Sequence, residues 1–419
     1  MRNGRSAKFY KTLFICAAVL ILLVDLLFVI IPDKESSENE NRNLQTFPSI
    51  TGSALSSGRF EDEFDDYVAD QFPLRDSWIA VKTFISRLAG YTESNDIFLG
   101  KDGYLIQNFN EPDEEEYSDI LEEFTGLAAA YPDIDIYALI APTAITVMED
   151  MLPAFTAAAD EGSRIAGDES AFMDRLFSDL TAAGIKAVDV RDSLKELKDS
   201  GVQVYYRTDH HWTSDAAYAA YNVWYDISGG TSESTGAALA TANDIISDNG
   251  TLYYRLMVAN DFQGTLTASS GFRMDETDEI YVYSMQGTLS EAADNLRSDD
   301  TEGSETDNDE FLYVLTNMDT GYKSASLYDT SYLETRDKYG MFLGGNHGEL
   351  KIQTTAASSD VILLIKDSYA NCFIPFMLRD HRTIIVIDPR YFTGDIDELI
   401  ESEKVTEILY LYNAETLTQ

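Results

Sequence analysis

The sequence predicts an α/β fold with a mostly parallel sheet. Short apolar strands alternate with amphipathic helices between about residues 97 and 226, and the alternation resumes near residue 361. Repeats of this kind form parallel sheets covered by helices. The chain has 419 residues, of which 44% are hydrophobic and 12% aromatic. This composition excludes a wholly disordered chain and supplies enough apolar surface for a sizeable core.

The N-terminus has the features of a membrane anchor. An apolar run at 12–31 is broken only by Asp25, and its length matches the roughly 20 residues that cross a bilayer as a helix. The residues before the run include no acid and four basic side chains: Arg2, Arg5, Lys8 and Lys11. This charge bias predicts a cytoplasmic tail at 1–11, an anchor at 12–31, and a single-pass cell-membrane protein whose bulk is extracytoplasmic. A cleaved signal peptide is the alternative, but no small-residue cleavage site follows the run.

The exported part is expected to begin with a tether and a helical segment at 32–95. Polar residues dominate up to residue 57, and apolar side chains then recur at helical spacing from Phe60 to Val68. A domain at 96–419 follows. Its first signal is a hairpin in which Gly100–Gly103 separates two apolar segments.

The remaining elements of the domain are predicted in chain order. Helices are expected at 117–128, 172–180, 214–226 and 370–378. Strands are expected at 134–140, 185–190, 202–206, 361–365, 383–387 and 407–412. Residues 227–340 interrupt this rhythm and predict a large insertion. Its stretch at 291–310 holds nine acids and one Arg, which favours a solvated loop; a calcium site is the weaker alternative because no regular ligand spacing is visible.

Charge and cysteine content exclude several functions. The formal charge of −43 makes the chain far too acidic to bind a nucleic-acid backbone unaided. Two cysteines cannot form a disulfide framework or a Cys-rich zinc site. A neutral or cationic partner is easier to accommodate on this surface than a strongly acidic one.

Two of the four histidines are adjacent, in the stretch Asp209–His210–His211–Trp212. In extended geometry Asp209 and His211 would project to one side and His210 to the other. A carboxylate beside an imidazole fixes its tautomer and stabilises the imidazolium, as a general base requires. A buried polar cluster and a metal site of Asp209, His210 and His211 are the alternatives.

A serine follows the apolar strand at 361–365, in the stretch Lys366–Asp367–Ser368. The carboxyl ends of parallel strands are where open α/β sheets hold their active sites. At a helix N-terminus the backbone N–H of Tyr369 or a neighbour could hold an oxyanion. The alternative is that Ser368 only caps the helix.

Two further segments could contribute to a site. Gly345 and Asn346 lie in a glycine-rich loop that either faces a ligand or forms a simple turn. Arg390 follows the strand at 383–387 and could bind a substrate carboxylate or hold a loop.

Together these motifs resemble the DHHW protein family, which is similar to the SGNH-hydrolase-like domains of alginate O-acetylation proteins. Besides Asp209–Trp212, the resemblance includes Glu40–Leu44, Asp70–Arg75, Gly100–Leu105, Gly345–Asn346 and Lys366–Asn371. It implies a flavodoxin-like three-layer α/β/α fold. In the alginate relatives an Asp-x-His pair precedes the serine, and Asp209, His211 and Ser368 match these positions. Gly345 and Asn346 match the oxyanion loop less closely, and the role of His210 stays open.

The resemblance implies a polysaccharide O-acetyltransferase that works through an acetyl ester on Ser368 and needs no metal or other cofactor. The expected partners are a polysaccharide acceptor, the membrane, and a membrane-bound O-acyltransferase that supplies acetyl groups. A carbohydrate acetylesterase and a non-catalytic polysaccharide-binding or assembly protein are the alternatives.

Overall fold

The computed structural model describes residues 3–34, 36–37, 42–154, 167–230, 245–248, 251–272, 274–285 and 313–418. The acidic stretch at 291–310 and part of the Glu40–Leu44 motif lie outside these residues. The chain forms two compact units. One comprises Met1–Ser94 and Gly271–Arg273, and the other comprises Asn95–Ser270 and Met274–Gln419.

The first unit is mainly helical. Its elements are α1 (Asn3–Ile30), β1 (Ser36–Ser37), β2 (Arg42–Asn43), α2 (Gly52–Ser57), α3 (Arg59–Asp70), α4 (Arg75–Leu88) and β3 (Glu93–Ser94). Helix α1 contains all but the last residue of the predicted apolar run, and its segment Phe9–Phe28 is long and apolar enough to cross a membrane. The predicted helical stripe from Phe60 to Val68 lies in α3.

The second unit is built on a large sheet. The strands of the whole unit are β4 (Ile97–Leu99), β5 (Leu105–Gln107), β6 (Asp135–Ala141), β7 (Lys186–Val188), β8 (Ile245–Asp248), β9 (Thr251–Phe262), β10 (Asp278–Ser284), β11 (Tyr313–Asn317), β12 (Lys323–Ser324), β13 (Glu349–Thr354), β14 (Val361–Lys366), β15 (Thr383–Ile387) and β16 (Glu407–Asn413). Eight strands form one sheet in the order β12–β11–β13–β15–β14–β16–β6–β7. The strands from β15 to β7 are parallel, and β13, β11 and β12 extend this sheet in antiparallel fashion. The predicted mostly parallel sheet is therefore present.

Helices cover both faces of this sheet. The helices of the second unit are α5 (Glu114–Ala130), α6 (Ala144–Val147), α7 (Glu169–Ala182), α8 (Arg191–Asp199), α9 (Ser214–Ile227), α10 (Thr265–Ser270), α11 (Ile374–Met377) and α12 (Ile396–Glu403). Phe124 of α5 packs against Tyr410, and Trp224 of α9 packs against Tyr137. Tyr410 pairs with Ala138 and not with Tyr137, so the two tyrosines point to opposite faces of the sheet. The α/β/α layering follows.

Two predicted elements near the site differ from the structure. Residues 202–206 form only an isolated bridge, between Tyr205 and Trp212, and not a strand. The helix expected at 370–378 is a 3-10 turn, Ser368–Cys372, followed by the short α11. Pro375 explains the break, because proline lacks an N–H and is tolerated only in the first turn of a helix.

The predicted insertion, 227–340, is partly described. Within it β8, β9 and β10 form a three-stranded antiparallel sheet, and α10 lies between β9 and β10. Strands β11 and β12 join the main sheet. The region therefore supplies both a separate small sheet and one edge of the large one.

Candidate active site

Three side chains from two distant segments meet beyond the carboxyl end of β14. Nε2 of His211 lies 2.8 Å from Oγ of Ser368, and Nδ1 of His211 lies 2.5 Å from Oδ1 of Asp209. Asp209 and His211 are buried. An imidazole held between a hydroxyl and a carboxylate can take the hydroxyl proton while the carboxylate stabilises the imidazolium.

Asp278 of β10 holds the loop that carries the base. Its Oδ2 atom accepts hydrogen bonds from the backbone N–H of Thr208, at 3.0 Å, and from the Thr208 hydroxyl, at 2.8 Å. The loop is closed by a hydrogen bond from Thr213 N–H to the Val204 carbonyl, at 2.8 Å. These contacts fix the backbone on both sides of the Asp209–His211 pair.

Asp209 is kept ionised by its neighbours. Burial alone would raise the pKa of this carboxyl, but His210, His211 and the Thr265 N–H together outweigh it and lower the pKa well below its usual range. Oδ2 of Asp209 accepts from Thr265 N–H at 2.9 Å and from the Thr265 hydroxyl at 3.1 Å. Residue 264, directly before Thr265, must be glycine, because a Cβ at this position would lie 2.1 Å from Cβ of Asp209.

Extended geometry predicts that His210 points away from His211. In the structure it does not. The two ring centroids are 3.9 Å apart, because residues 207–211 form bends and not a strand. Nδ1 of His210 lies 3.0 Å from the Thr265 hydroxyl oxygen. Burial and the adjacent His211 lower the pKa of His210, although 34% of its side chain is exposed. His210 therefore lies beside the base and shares the Thr265 hydroxyl with Asp209.

The geometry is also compatible with the alternative of a metal site formed by Asp209, His210 and His211. Ligand atoms of Asp209, His210 and His211 lie within 4.8 Å of one another. An oxygen and two imidazole nitrogens are suitable ligands for zinc. However, a metal bound to His211 would occupy one of the two ring nitrogens that contact Ser368 and Asp209.

Asp367 organises the nucleophile side. Its Oδ1 atom accepts from Tyr369 N–H at 2.8 Å, and its Oδ2 atom accepts from the backbone and side-chain N–H groups of Asn413 at 2.8 and 2.6 Å. Burial nevertheless raises the pKa of Asp367. The Tyr369 N–H thus already donates to Asp367, and the oxyanion role expected of this N–H or a neighbouring one stays a prediction.

Two tyrosines join the base loop to the nucleophile segment. The Tyr339 ring stacks on His211 with centroids 3.7 Å apart, and its hydroxyl donates to the Ser368 carbonyl at 3.1 Å. The Tyr369 hydroxyl donates to the His210 carbonyl. Since these contacts tie both segments together, they help to fix the distance between His211 and Ser368.

The glycine-rich loop is anchored to the end of β14. Gly344 and Gly345 have φ angles of 74° and 93°, which glycine adopts without strain. Oδ1 of Asn346 lies 3.4 Å from Nζ of Lys366 and 3.3 Å from Nδ2 of Asn371. The structure thus brings Gly345 and Asn346 to the nucleophile segment, and an oxyanion role for them stays a prediction.

Lys366 and Arg390 share a buried carboxylate. Nζ of Lys366 lies 3.5 Å from Oδ2 of Asp388, and Arg390 binds both oxygens of Asp388 at 2.8 and 2.7 Å. Burial, despite the nearby carboxylates, lowers the pKa of Lys366 to about 8. Arg390 therefore holds its own loop and also lines the cavity described next.

A cavity of about 240 Å³ opens beside Ser368 at the carboxyl ends of the parallel strands. Its lining is mostly polar and comprises Gln107, Asn108, Thr143, Ala144, His210, Leu266, Ser368, Tyr369, Arg390, Asn413, Glu415 and Thr416. This position agrees with the expectation for an open α/β sheet. The polar lining is suited to a ligand rich in hydroxyl groups.

Sequence reasoning missed Gly264, Thr265, Asp278 and Tyr339. All four lie in the region predicted as an insertion, and none belongs to a recognisable motif. The Gly264–Thr265 pair after a long strand is the only local signal, because glycine often marks a close backbone approach. Their partners are 56 or more residues earlier or 29 residues later in the chain.

Comparisons with known proteins concern the fold that carries this site. Residues 112–264 match a family model described as the SGNH hydrolase-like domain of the acetyltransferase AlgX. Over this range the chain is similar to an SGNH hydrolase-like domain. The predicted resemblance and fold class are thereby confirmed. No curated protein sequence matches the chain.

Solved structures share the fold of the SGNH hydrolase-like domain. A DHHW family protein from Eubacterium siraeum is 18% identical with a TM-score of 0.54, and the match covers 78% of this chain and 93% of that protein. Bacillus cereus PatB1 with a sulfonyl adduct is 15% identical with a TM-score of 0.54, over 77% of this chain and 97% of PatB1. The O-acetyltransferase domain of Pseudomonas putida AlgJ is 12% identical with a TM-score of 0.42, over 77% and 92%. The fold assignment depends on the first two.

Proposed function

We propose that this chain is a membrane-anchored, extracytoplasmic O-acetyltransferase that acts on a cell-surface or secreted polysaccharide. The observation that carries the proposal is the continuous contact from Asp209 through His211 to Ser368, beside a polar cavity. The match of residues 112–264 to an acetyltransferase family model supports acetyl as the group that is transferred. The apolar segment Phe9–Phe28 supports the anchor.

The proposed reaction has two halves. In the first, His211 takes the proton of Ser368, and Oγ attacks the acetyl carbonyl of the donor. The bond to the donor's leaving group breaks, and His211 returns the proton to that group. In the second half, an acceptor hydroxyl gives its proton to His211 and attacks the acetyl ester. The bond between the acetyl group and Oγ of Ser368 breaks, and His211 returns the proton to Oγ. Asp209 stabilises the imidazolium in both halves.

The acetyl donor is a further part of the proposal. Acetyl-CoA is not available outside the membrane, so a membrane-bound O-acyltransferase is the proposed source. If water replaces the sugar hydroxyl, the same residues make a carbohydrate acetylesterase. If Ser368 does not react at all, a polysaccharide-binding or assembly role is favoured.

The test uses the full chain in detergent with an activated acetyl ester. Mass spectrometry would look for an acetyl group on Ser368 in the parent, in Ser368→Ala and in His211→Ala, with Ser359→Ala as a control at an exposed serine. We expect the adduct in the parent and the control only. Unchanged turnover of the ester in Ser368→Ala and His211→Ala would remove these residues from the mechanism. Transfer to an added oligosaccharide, measured against hydrolysis, distinguishes transferase from esterase.

A further inference from the structure

Helix α4 exposes a continuous apolar surface. The exposed fractions are 54% for Trp78, 49% for Val81, 63% for Phe84, 59% for Ile85 and 74% for Leu88. Residues three, four or seven positions apart lie on the same side of a helix, so these five form one stripe. We call them the apolar face of α4.

The opposite side of α4 is already packed. Thr83 is buried, and a Cβ on Gly271 would lie 2.7 Å from Cγ2 of Ile79. The exposed basic residues Lys82 and Arg87 lie at the two borders of the apolar face. The helix therefore has one side for the protein interior and a second apolar side, bordered by cations, that no described residue covers.

The end of α1 is docked on α3, within the same compact unit. Phe28, the last residue of the membrane-spanning candidate, has its ring centroid 5.9 Å from that of Tyr67. The Tyr67 hydroxyl donates to Oδ1 of Asp33 at 3.2 Å. Lys34 N–H donates to Gln71 Oε1, and Gln71 Nε2 donates to the Lys34 carbonyl, both at 2.9 Å. If α1 crosses a bilayer, the C-terminal part of α3 lies where α1 emerges.

Helix α4 begins at the same place. Residues after α1, including Ile31 and Pro32, line one cavity of about 230 Å³ together with Phe72, Leu74 and Arg75 at the junction of α3 and α4. The 14 residues of α4 extend about 21 Å at 1.5 Å per residue. The orientation of α4 thus decides whether its far end stays at the bilayer or leaves it.

We propose that the apolar face of α4 lies in the extracytoplasmic interface of the bilayer that α1 crosses. The proposal depends on the membrane anchor of the proposed function. Tryptophan is enriched at this depth of a bilayer, and Trp, Phe and Leu form the apolar faces of helices that lie there. Lysine and arginine at the borders of such a face extend their charges to the headgroups. A helix with these properties lies in the plane of the membrane.

Apolar contact, and not attraction to anionic lipid, drives this binding. Helix α3 next to the exit of α1 carries several acids, among them Glu61, Asp62 and Asp66. Vesicles of zwitterionic phosphatidylcholine should therefore be sufficient as the probe.

The experiment uses tryptophan fluorescence of the full chain in phosphatidylcholine vesicles, with and without bromine on the lipid acyl chains. The chain has three tryptophans; Trp212 and Trp224 are buried, with exposed fractions of 0% and 1%. The difference between the parent and Trp78→Phe isolates the emission of Trp78. We expect brominated lipid to quench most of this difference and to leave the emission of Trp78→Phe unchanged.

A second variant tests the orientation. Trp78→Phe combined with Leu88→Trp moves the reporter to the far end of α4, on the same face. Quenching at both positions supports a helix that lies flat, whereas quenching at residue 78 alone means that α4 stands upright and overturns the proposal. Quenching at neither position, in a chain that resists carbonate extraction, also overturns it and favours a protein partner for this face.

Carbonate extraction separates this proposal from the proposed function. Release of the parent chain from the vesicles by carbonate would overturn the anchor and the proposal for α4 together. The acetyl adduct on Ser368 is measured in detergent, so acyl transfer would be judged independently of either result.

Discussion

Two buried carboxylates flank the proposed nucleophile, and their surroundings are opposite in kind. Asp209 faces His210 and His211, and these neighbours lower its pKa in spite of burial. Asp367 accepts hydrogen bonds from Tyr369 and Asn413 and lies near the Arg390 guanidinium, yet burial outweighs them and raises its pKa. The comparison teaches that burial alone does not set the ionisation of a carboxylate here. Direct contact with an imidazole lowers the pKa of Asp209 although it is buried.

A third buried acid extends the comparison. Glu169 of α7 accepts from Thr143 N–H at 2.8 Å and lies 3.2 Å from the Thr143 hydroxyl oxygen, at the wall of the cavity. Burial raises the pKa of Glu169 to about 7. The causes of this shift include no cation. Glu169 therefore behaves like Asp367 and unlike Asp209.

The largest effect is expected from Asp209→Asn. The amide keeps the shape of the side chain but loses the charge that stabilises the imidazolium, so kcat should fall by about 10⁴-fold. This loss corresponds to about 5 kcal/mol of transition-state stabilisation. The measurement is turnover of an activated acetyl ester, with the thermal midpoint as a check on folding. A fall of less than tenfold in a folded variant would remove the charge of Asp209 from the mechanism.

The second effect is a pH-dependent stability from Glu169→Gln. In the parent, the raised pKa of Glu169 means that the native state holds a proton between about pH 4.5 and 7 that the unfolded state releases. The stability from Glu169 is thus complete below its unfolded pKa and is lost as pH rises through the native pKa. Relative to Glu169→Gln, the free energy of unfolding of the parent should fall by about 3 kcal/mol as the pH rises over this interval. Denaturant unfolding at a series of pH values measures the difference, and a constant difference would contradict it.

Asp367→Asn should act mainly on stability. The amide oxygen can still accept from Tyr369, but the amide NH₂ then faces the two N–H groups of Asn413. Leaving these buried donors without an acceptor costs about 1–3 kcal/mol. Chemical denaturation gives the loss, and we expect kcat to fall far less than in Asp209→Asn. Equal losses of kcat in the two variants would abolish the distinction between the two carboxylates.

The smallest effect is expected from Thr265→Val. It removes the hydroxyl that contacts Asp209 and His210 but keeps the backbone N–H bond to Asp209. Loss of one such hydrogen bond is worth about 1 kcal/mol, or roughly a fivefold decrease in kcat. Thr267→Val is the matched control in the same helix, because the buried Thr267 hydroxyl has no hydrogen-bond partner among the residues that the structure describes. Activity loss in both variants would indicate a general disturbance of α10.

Local patterns were sufficient to predict the parallel core. The runs at 361–365, 383–387 and 407–412 became β14, β15 and β16 within one residue, because buried parallel strands are uniformly apolar. The segment at 202–206 has similar composition but forms only a bridge. Apolar composition favours burial of a segment. Whether a buried segment becomes a strand depends on a neighbouring strand with which it can form hydrogen bonds.

The sequence by itself determined the α/β class, the apolar N-terminal helix and the order in which Asp209, His211 and Ser368 occur. These features follow from composition and short spacings, which act over a few residues. The tertiary structure alone decided that Thr265, Asp278 and Tyr339 surround the base and that His210 lies beside His211. Each depends on contacts between segments distant in the chain or on a bend in the backbone, and no local propensity encodes where such segments meet.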